Sequence, residues 1–351
     1  MREPSAELII DIDRIRNNII YLKSLLKPDT KFMAILKANA YGHGLNIISK
    51  SIDDLVDGYG LVRLEEATSV RKYTSKKILL MQGVYSEDDF KIAYDNKFDL
   101  VVHNKNQLFA FENSDINIWL KVNTGMNRLG FLPEEIISLH KLYDLDKRKY
   151  VLMSHLACSD NPKDQLNEKQ FKSFDQLADS LEANFEKSIG NTGCILNYPD
   201  QCFDWVRSGI GLYGGVLGNN KLKSAMTFRS QVIEIRNIKQ NDRVGYNGRV
   251  IAKKDMKIAI VYAGYADGFP QSIMDNSKVV INDQVAETFG QVSMDLISID
   301  VTNISNCNIG DWCILWNEEN THTNIAKDSN LISYELMTRI TPRVKVIYEN
   351  L

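Results

Sequence analysis

The chain has 351 residues, 44% of them hydrophobic, with 42 Lys plus Arg against 45 Asp plus Glu and a formal net charge of -3. That balance leaves no basic footprint for nucleic acid and no acidic tail, and the length suits two domains better than one. Five cysteines, at 158, 194, 202, 307 and 313, make no CxxC pair, so they are read as reduced packing residues, with no disulfide framework and no metal site expected.

The N-terminal segment lacks an apolar core of signal-peptide length, and no uncharged run approaches the length of a membrane span. A soluble, cytoplasmic protein without a membrane partner is the expectation. Ile12, Ile15, Ile19, Leu22 and Leu26 recur at intervals of three and four, which predicts an amphipathic helix over 12–26 that Pro28 helps to stop. "KFMAILK" (31–37) follows as a short apolar run, then a helix-like stretch over 45–56, "GYGLV" (58–62), a helix over 64–73 and "KILLM" (77–81). The alternation continues through "FDLVV" (98–102), a helix near 104–112, "INIWLKV" (116–122), a helix near 134–146 and "YVLMSHL" (150–156). A long helix then carries Phe171, Phe174, Leu177, Leu181 and Phe185 on one stripe, before two extended segments, "KSIGNT" (187–192) and "FDWVRSGI" (203–210). Eight β units separated by helices predict an α/β architecture, a (β/α)8 TIM barrel over residues 11–223, a fold of about 250 residues.

Beyond residue 225 the texture changes. "MTFRSQVIEIRNI", "KIAIVYAGY", "SKVVIN", "QVAETFG", "LISIDVT" and "DWCILW" are β-rich runs joined by short turns, with one helical stretch over 331–340. They predict a C-terminal mainly-β domain over 224–351, joined by an N-terminal strand from 1–10.

Functional residues of such a barrel sit just past the C-terminal ends of its strands, where the βα loops converge. Lys37 stands there on the first strand, Lys121 and Arg128 follow the fifth, His155 ends the sixth, Thr192 follows the seventh, and Arg207, Ser208 and Gly209 follow the eighth. Alone, Lys37 reads by default as a strand-end lysine whose stem lies on apolar surface. Arg207 has a second reading too, a structural ion pair with Asp204. "GNTG" (190–193) and "RSGIGLYGG" (207–215) supply glycines and backbone N–H groups where this fold often binds phosphate. One lysine beside an independent phosphate cradle is the minimum equipment for pyridoxal phosphate held as a Schiff base, and a desolvated cationic site favours the reactive free amine.

"AILKANAYGHG" (34–44) resembles the pyridoxal-phosphate lysine motif of the alanine racemase family. The resemblance continues in order through "KVNTGMNRLGF" (121–131), "SHLACSD" (154–160), "GNTG", "VRSGIGLYG" (206–214), "VGYNGR" (244–249), "AGYADGFP" (263–270) and "GQVSMD" (290–295). It implies racemisation of L- and D-alanine, D-alanine for peptidoglycan, and a head-to-tail homodimer with shared active sites. By the same resemblance Lys37 and Tyr246 are the two catalytic bases, Tyr246 serving the other subunit's barrel. Tyr41, Thr192, Ser208, Gly209 and Ile210 hold the phosphate, His155 packs near the ring and orients Arg207, and Arg207 faces the pyridine nitrogen. Arg128 and Met294 contact substrate, while Lys121, Tyr265 and Asp295 line its surroundings.

Three departures stand out. Asn123 replaces the family's usual Asp, Asn247 stands where glycine is commoner, and Thr192 where serine is commoner. Some members place a tyrosine near the C-terminus that reaches the phosphate, but the segment 335–347 contains none, so none is assigned. His43 and His103 receive no role. A racemase acting on serine or a broader set of amino acids, a barrel-type pyridoxal decarboxylase, and a single-barrel pyridoxal-phosphate binding protein are the alternatives. Arg207 and "GQVSMD" argue against the decarboxylase, and the long β-rich C-terminal region argues against the single barrel.

Overall fold

The computed structural model describes residues 5–111, 114–142, 150–181 and 185–351, and the chain divides into two compact units. One comprises Ile19–Ala40 and Gly44–Leu212; the other holds the stretch up to Asn18, Tyr41–His43 and Tyr213–Leu351. No helix among the described residues is long and apolar enough to cross a membrane.

After an N-terminal strand, β1 (Ala6–Asp11), the first-named unit is built on eight parallel strands: β2 (Lys31–Ile35), β3 (Gly58–Leu61), β4 (Lys77–Leu80), β5 (Asp99–Val102), β6 (Ile118–Lys121), β7 (Tyr150–Met153), β8 (Glu186–Ser188) and β9 (Trp205–Ser208). Their order is β8-β7-β6-β5-β4-β3-β2-β9. The ends of that row meet where the Arg207 N–H donates to the Gly190 carbonyl oxygen at 2.9 Å and Ser188 Oγ donates to the Trp205 carbonyl oxygen at 2.9 Å. The sheet is therefore barrel-shaped, as the alternating pattern predicts. Every residue of β3, β5, β6, β7 and β9 is buried. Burial on both faces is why these strands read as short unbroken apolar runs rather than as alternation.

Strand beginnings carry the structural polar contacts. Asp99, at the start of β5, accepts from Lys77 Nζ and from Trp119 Nε1, both at 3.0 Å, and Trp119 packs on Trp205 with ring centroids 5.5 Å apart.

Several boundaries differ from the sequence expectation. The first helix runs Ile12–Ser24 and the long one Gln165–Ser180, so Leu181 and Phe185 lie beyond its last turn. A helix at Glu87–Asp95, not anticipated, follows β4, with Ser86 Oγ accepting the Asp89 N–H as its cap. The seventh barrel strand is Glu186–Ser188 rather than 187–192, because Asn191 caps a short helix, Thr192–Asn197, by accepting the Cys194 N–H. The helix expected near 104–112 ends at Ala110, and the expected end at 146 lies outside the described residues.

The other unit adds β10 (Met226–Ile238), β11 (Arg243–Val244), β12 (Val250–Ile251), β13 (Met256–Val261), β14 (Lys278–Ile281), β15 (Gln284–Thr288), β16 (Ile297–Asp300), β17 (Trp312–Trp316) and β18 (Lys345–Glu349). An eight-stranded sheet runs β13-β16-β15-β14-β17-β10-β1-β18, and β13 also pairs with β10. Strand β10 alternates buried and part-exposed residues through its first eight positions, the period of two its sequence shows. Phe228, Phe269 and Trp316 fill this core, Phe228 meeting Trp316 edge-on with centroids at 4.8 Å. The helix expected over 331–340 is Ser333–Thr338, and a second, unexpected one, His322–Asp328, precedes it, with Asn330 at φ 55° between them.

Candidate active site

Lys37 lies two residues past β2. Burial and then the Arg128 charge lower the pKa of its amine. The backbone after it is unusual: Ala38, Asn39, Ala40 and Tyr41 all have φ between 52° and 54°, one turn of left-handed helix built without glycine. For L-residues that hand costs roughly 1–2 kcal/mol per residue, so the turn persists only because its surroundings fix it. Gly42 and Gly44 continue it at φ 81° and 94°. A Cβ on Gly42 would stand 2.4 Å from the Met337 carbonyl oxygen, so any larger residue there would force the backbone to shift.

Around the barrel the strand ends converge as expected. Lys121 ends β6 and is buried; desolvation, followed by the charges of Arg207, Arg128 and Lys37, lowers its pKa to about 8. Burial and then Arg207, Lys121, Arg128 and Lys37 hold His155 well below the usual histidine range, so its ring is neutral. Lys121, Asn123, Arg128, Ser154 and His155 share one small pocket. Asn123 answers the question its sequence raises: Oδ1 accepts the backbone N–H groups of Gly125 and Asn127 at 3.1 and 3.0 Å, and Nδ2 donates to Asn127 Oδ1 at 2.9 Å. A carboxylate could take the first two bonds but could not donate the third.

Arg207, on β9, is 2% exposed. Its Nη2 donates to the Ser154 carbonyl oxygen at 2.6 Å and lies 3.4 Å from His155 Nδ1, and its Nη1 donates to Ser188 Oγ. Asp204 instead accepts the Lys187 N–H, so the proposed Arg207–Asp204 ion pair does not form. Desolvation lowers the Arg207 pKa to about 10, which still leaves it protonated at neutral pH. Its Nε is buried and has no hydrogen-bond partner among the described residues. One charged donor is thus left for a ligand acceptor, and a buried donor without a partner is costly.

At the neighbouring strand end Thr192 Oγ1 and Ser208 Oγ lie 2.9 Å apart, both buried, and the Gly211 N–H donates to Thr192 Oγ1 at 3.3 Å. Gly209 and Ile210 lead from β9 into a 3-10 turn. Clustered hydroxyls and backbone N–H groups in this place suit a phosphate. With a depressed lysine and an unused guanidinium donor, the residues present fit pyridoxal phosphate.

Tyr41, Tyr246, Tyr265, Met294 and Asp295 belong to the other unit. Tyr41 is buried, its ring centroid 5.0 Å from that of Tyr213 and 5.8 Å from that of Tyr334, and burial pushes its phenol up. Tyr334 directly precedes the segment 335–347 in which no tyrosine was found, and the structure places it beside the tyrosine assigned to the phosphate. Tyr246 lies in a turn, Tyr246–Gly248, and is 68% exposed, and Asn247 there takes φ 60°, which explains asparagine in place of glycine. The Tyr265 and Ala266 N–H groups donate to the Ser293 and Met294 carbonyl oxygens, setting these residues side by side, and Arg343 holds Asp295 at 2.7 Å. Sequence reasoning missed the supports of His155: Gln170 Nε2 donates to its carbonyl oxygen at 2.9 Å and to Thr124 Oγ1 at 3.1 Å. A glutamine thirteen or more residues from its partners carries no local signal.

Comparison with known proteins agrees with this geometry. Residues 10–216 match the family described as alanine racemase, N-terminal domain, and residues 225–348 match alanine racemase, C-terminal domain. The alanine racemase of Shewanella sediminis is 36% identical over 357 residues, covering 98% of each chain. The biosynthetic alanine racemase structure from Pseudomonas aeruginosa superposes with a TM-score of 0.94 at 32% identity, covering all of both chains. An alanine racemase from Bartonella henselae, solved with covalently bound pyridoxal phosphate, has a TM-score of 0.91 at 26% identity over 98% of this chain and 99% of that one. None of these matches favours decarboxylation or a broader substrate range.

Proposed function

This chain belongs to the alanine racemase family, and on that premise we propose how its residues interconvert L- and D-alanine. The activity is pyridoxal-phosphate-dependent racemisation of alanine, an isomerisation. Bound, the cofactor supplies the electron sink that acidifies the α-C–H of the amino acid. Lys37 Nζ would hold the cofactor, and its free amine would exchange a proton on one face of the substrate Cα. The Tyr246 hydroxyl exchanges a proton on the opposite face. Two bases are required because the proton leaves one face and returns to the other, and each must lie within hydrogen-bond reach of Cα.

Arg207 sets the chemistry at the ring. A guanidinium can only donate, so Nε would leave the pyridine nitrogen of a bound cofactor unprotonated and would limit how far charge spreads into the ring. The outcome is bias toward returning the proton rather than transferring the amino group. Thr192, Ser208, Gly209, Ile210 and Tyr41 take the phosphate, with Tyr334 beside Tyr41. Neutral His155 packs near the ring and steadies Arg207. Arg128 binds the substrate carboxylate, its loop held by Asn123, and Lys121 lies behind it. The observation that carries this reading is the buried, unused Nε of Arg207 on β9, with Lys37, its amine shifted toward its free form, just past the neighbouring strand β2.

We further infer a cytoplasmic head-to-tail homodimer in which Tyr246, Tyr265, Met294 and Asp295 complete the partner's site, and a product that supplies peptidoglycan precursors. The exposure of Tyr246 and Met294, 68% and 52%, supports a role at a surface that a second copy covers. Incubation of the holoenzyme with L-alanine in D2O tests the reaction. D-alanine carrying deuterium at Cα is expected, and carbon dioxide or a keto acid as the main product would contradict it.

A further inference from the structure

We propose that Glu66 and His43 are positioning residues that hold the left-handed turn Ala38–Tyr41, and so aim Lys37 and Tyr41 at pyridoxal phosphate. The inference rests on the function proposed above. Lys37 and Tyr41 are four residues apart and leave the two ends of that turn, so the direction of each depends on a backbone conformation that non-glycine residues avoid. Something outside the turn must favour it.

Two side chains bond its backbone. Glu66 Oε1 accepts the Asn39 N–H at 2.9 Å, reaching from the helix Leu64–Arg71. Asn39 in turn accepts the Leu45 N–H on Oδ1 at 2.8 Å and the Gly44 N–H on its carbonyl oxygen at 3.0 Å, so the bond to Glu66 fixes the whole loop. At the other end His43 Nδ1 lies 3.0 Å from the Tyr41 carbonyl oxygen. A carbonyl can only accept, so Nδ1 carries the proton. The His43 ring is fully buried and stacks on Tyr213 with centroids 4.4 Å apart, and Tyr213 also packs on Tyr41. His43 therefore grips Tyr41 twice, through its carbonyl and through a shared ring neighbour. Neither residue is given contact with substrate or cofactor; both act through the turn.

The test uses wild type, Glu66→Leu, Glu66→Gln and His43→Phe, each stripped of cofactor and titrated with pyridoxal phosphate while the visible absorbance of the lysine-bound form is followed. Glu66→Leu removes the acceptor, whereas Glu66→Gln keeps an oxygen for Asn39. His43→Phe keeps the ring on Tyr213 and removes the donor. The expected result is cofactor affinity weakened about tenfold in Glu66→Leu and His43→Phe, the loss of one hydrogen bond. Racemisation kcat should fall in the reloaded variants with the KM for alanine little changed, and Glu66→Gln should recover both cofactor affinity and kcat. Wild-type affinity and kcat in both Glu66→Leu and His43→Phe overturn the proposal, as does a Glu66→Gln variant as impaired as Glu66→Leu. Should His43→Phe fail to fold, the Glu66 pair decides alone. Failure of wild type itself to bind pyridoxal phosphate would instead overturn the functional reading beneath it.

Discussion

Arg207 donates through Nη2 to the carbonyl oxygen of Ser154 across 2.6 Å, a bond between two buried residues on adjacent parts of the barrel mouth. With Nη1 bonded to Ser188 and Nη2 to Ser154, the guanidinium is held at two points, and Nε is left without a hydrogen-bond partner among the described residues. The selectivity ascribed to Arg207 follows from that anchoring as much as from its charge.

Arg207→Glu should therefore shift the reaction partition. A protonatable carboxyl near the pyridine nitrogen lets that nitrogen take up a proton, so pyruvate should accumulate from L-alanine while racemisation falls by at least tenfold. Quantifying pyruvate per D-alanine formed checks it. A variant that binds cofactor and racemises slowly without added pyruvate would remove this role from Arg207.

How much of this was legible in the sequence depends on the range over which each contact acts. Lys37 and Arg207 follow short apolar runs, and a parallel strand buried on both faces announces itself, so their places in the barrel could be read directly, whereas Thr192 lies on the short helix after β8. The helix Glu87–Asp95 was missed because it buries only Ala93, leaving too little apolar stripe to show. The supports of Arg207 and His155, namely Ser154, Ser188 and Gln170, come together only through strand order, and polar residues brought together by topology leave no pattern in the chain. The left-handed turn at 38–41 was equally hidden, since alanine and tyrosine give no hint of positive φ.

Lys121 carries a pH-dependent cost. Its pKa is about 8 in the folded chain and 10.5 in the ordinary case, so between these values the unfolded state binds more protons than the folded one. Stability gains from this group as pH rises from 8 toward 10.5, and its penalty is fully present below 8. In carbon-dioxide-free buffer, Lys121→Met should be more stable than wild type at pH 7 by up to about 3 kcal/mol, with the advantage shrinking above pH 8. Urea denaturation across that range measures it, and a difference that does not vary with pH would refute the assignment.

Tyr41→Phe removes one hydroxyl assigned to the phosphate while keeping the ring against Tyr213 and Tyr334. Pyridoxal phosphate affinity should fall roughly ten- to hundredfold, the worth of a hydrogen bond to a charged group, with pyridoxal lacking the phosphate bound equally by both proteins. Equal loss for both ligands would place Tyr41 elsewhere than on the phosphate.

Gly42→Ala should destabilise the chain by about 1–3 kcal/mol, because φ 81° and a Cβ 2.4 Å from the Met337 carbonyl oxygen both oppose a side chain. Denaturant midpoints at constant slope test this, and unchanged stability would mean that the loop has a second conformation of similar energy.

The central claim is a racemase with two bases, Lys37 from one chain and Tyr246 from another. Its most direct test is the activity of Lys37→Ala and Tyr246→Phe, each alone and after mixing under conditions that exchange subunits. Each variant alone should be inactive, and an equal mixture should regain about a quarter of wild-type racemisation, since half the pairs are mixed and each mixed pair has one intact site. Wild-type-like turnover by Tyr246→Phe, or a mixture as inactive as its parts despite demonstrated exchange, would contradict it.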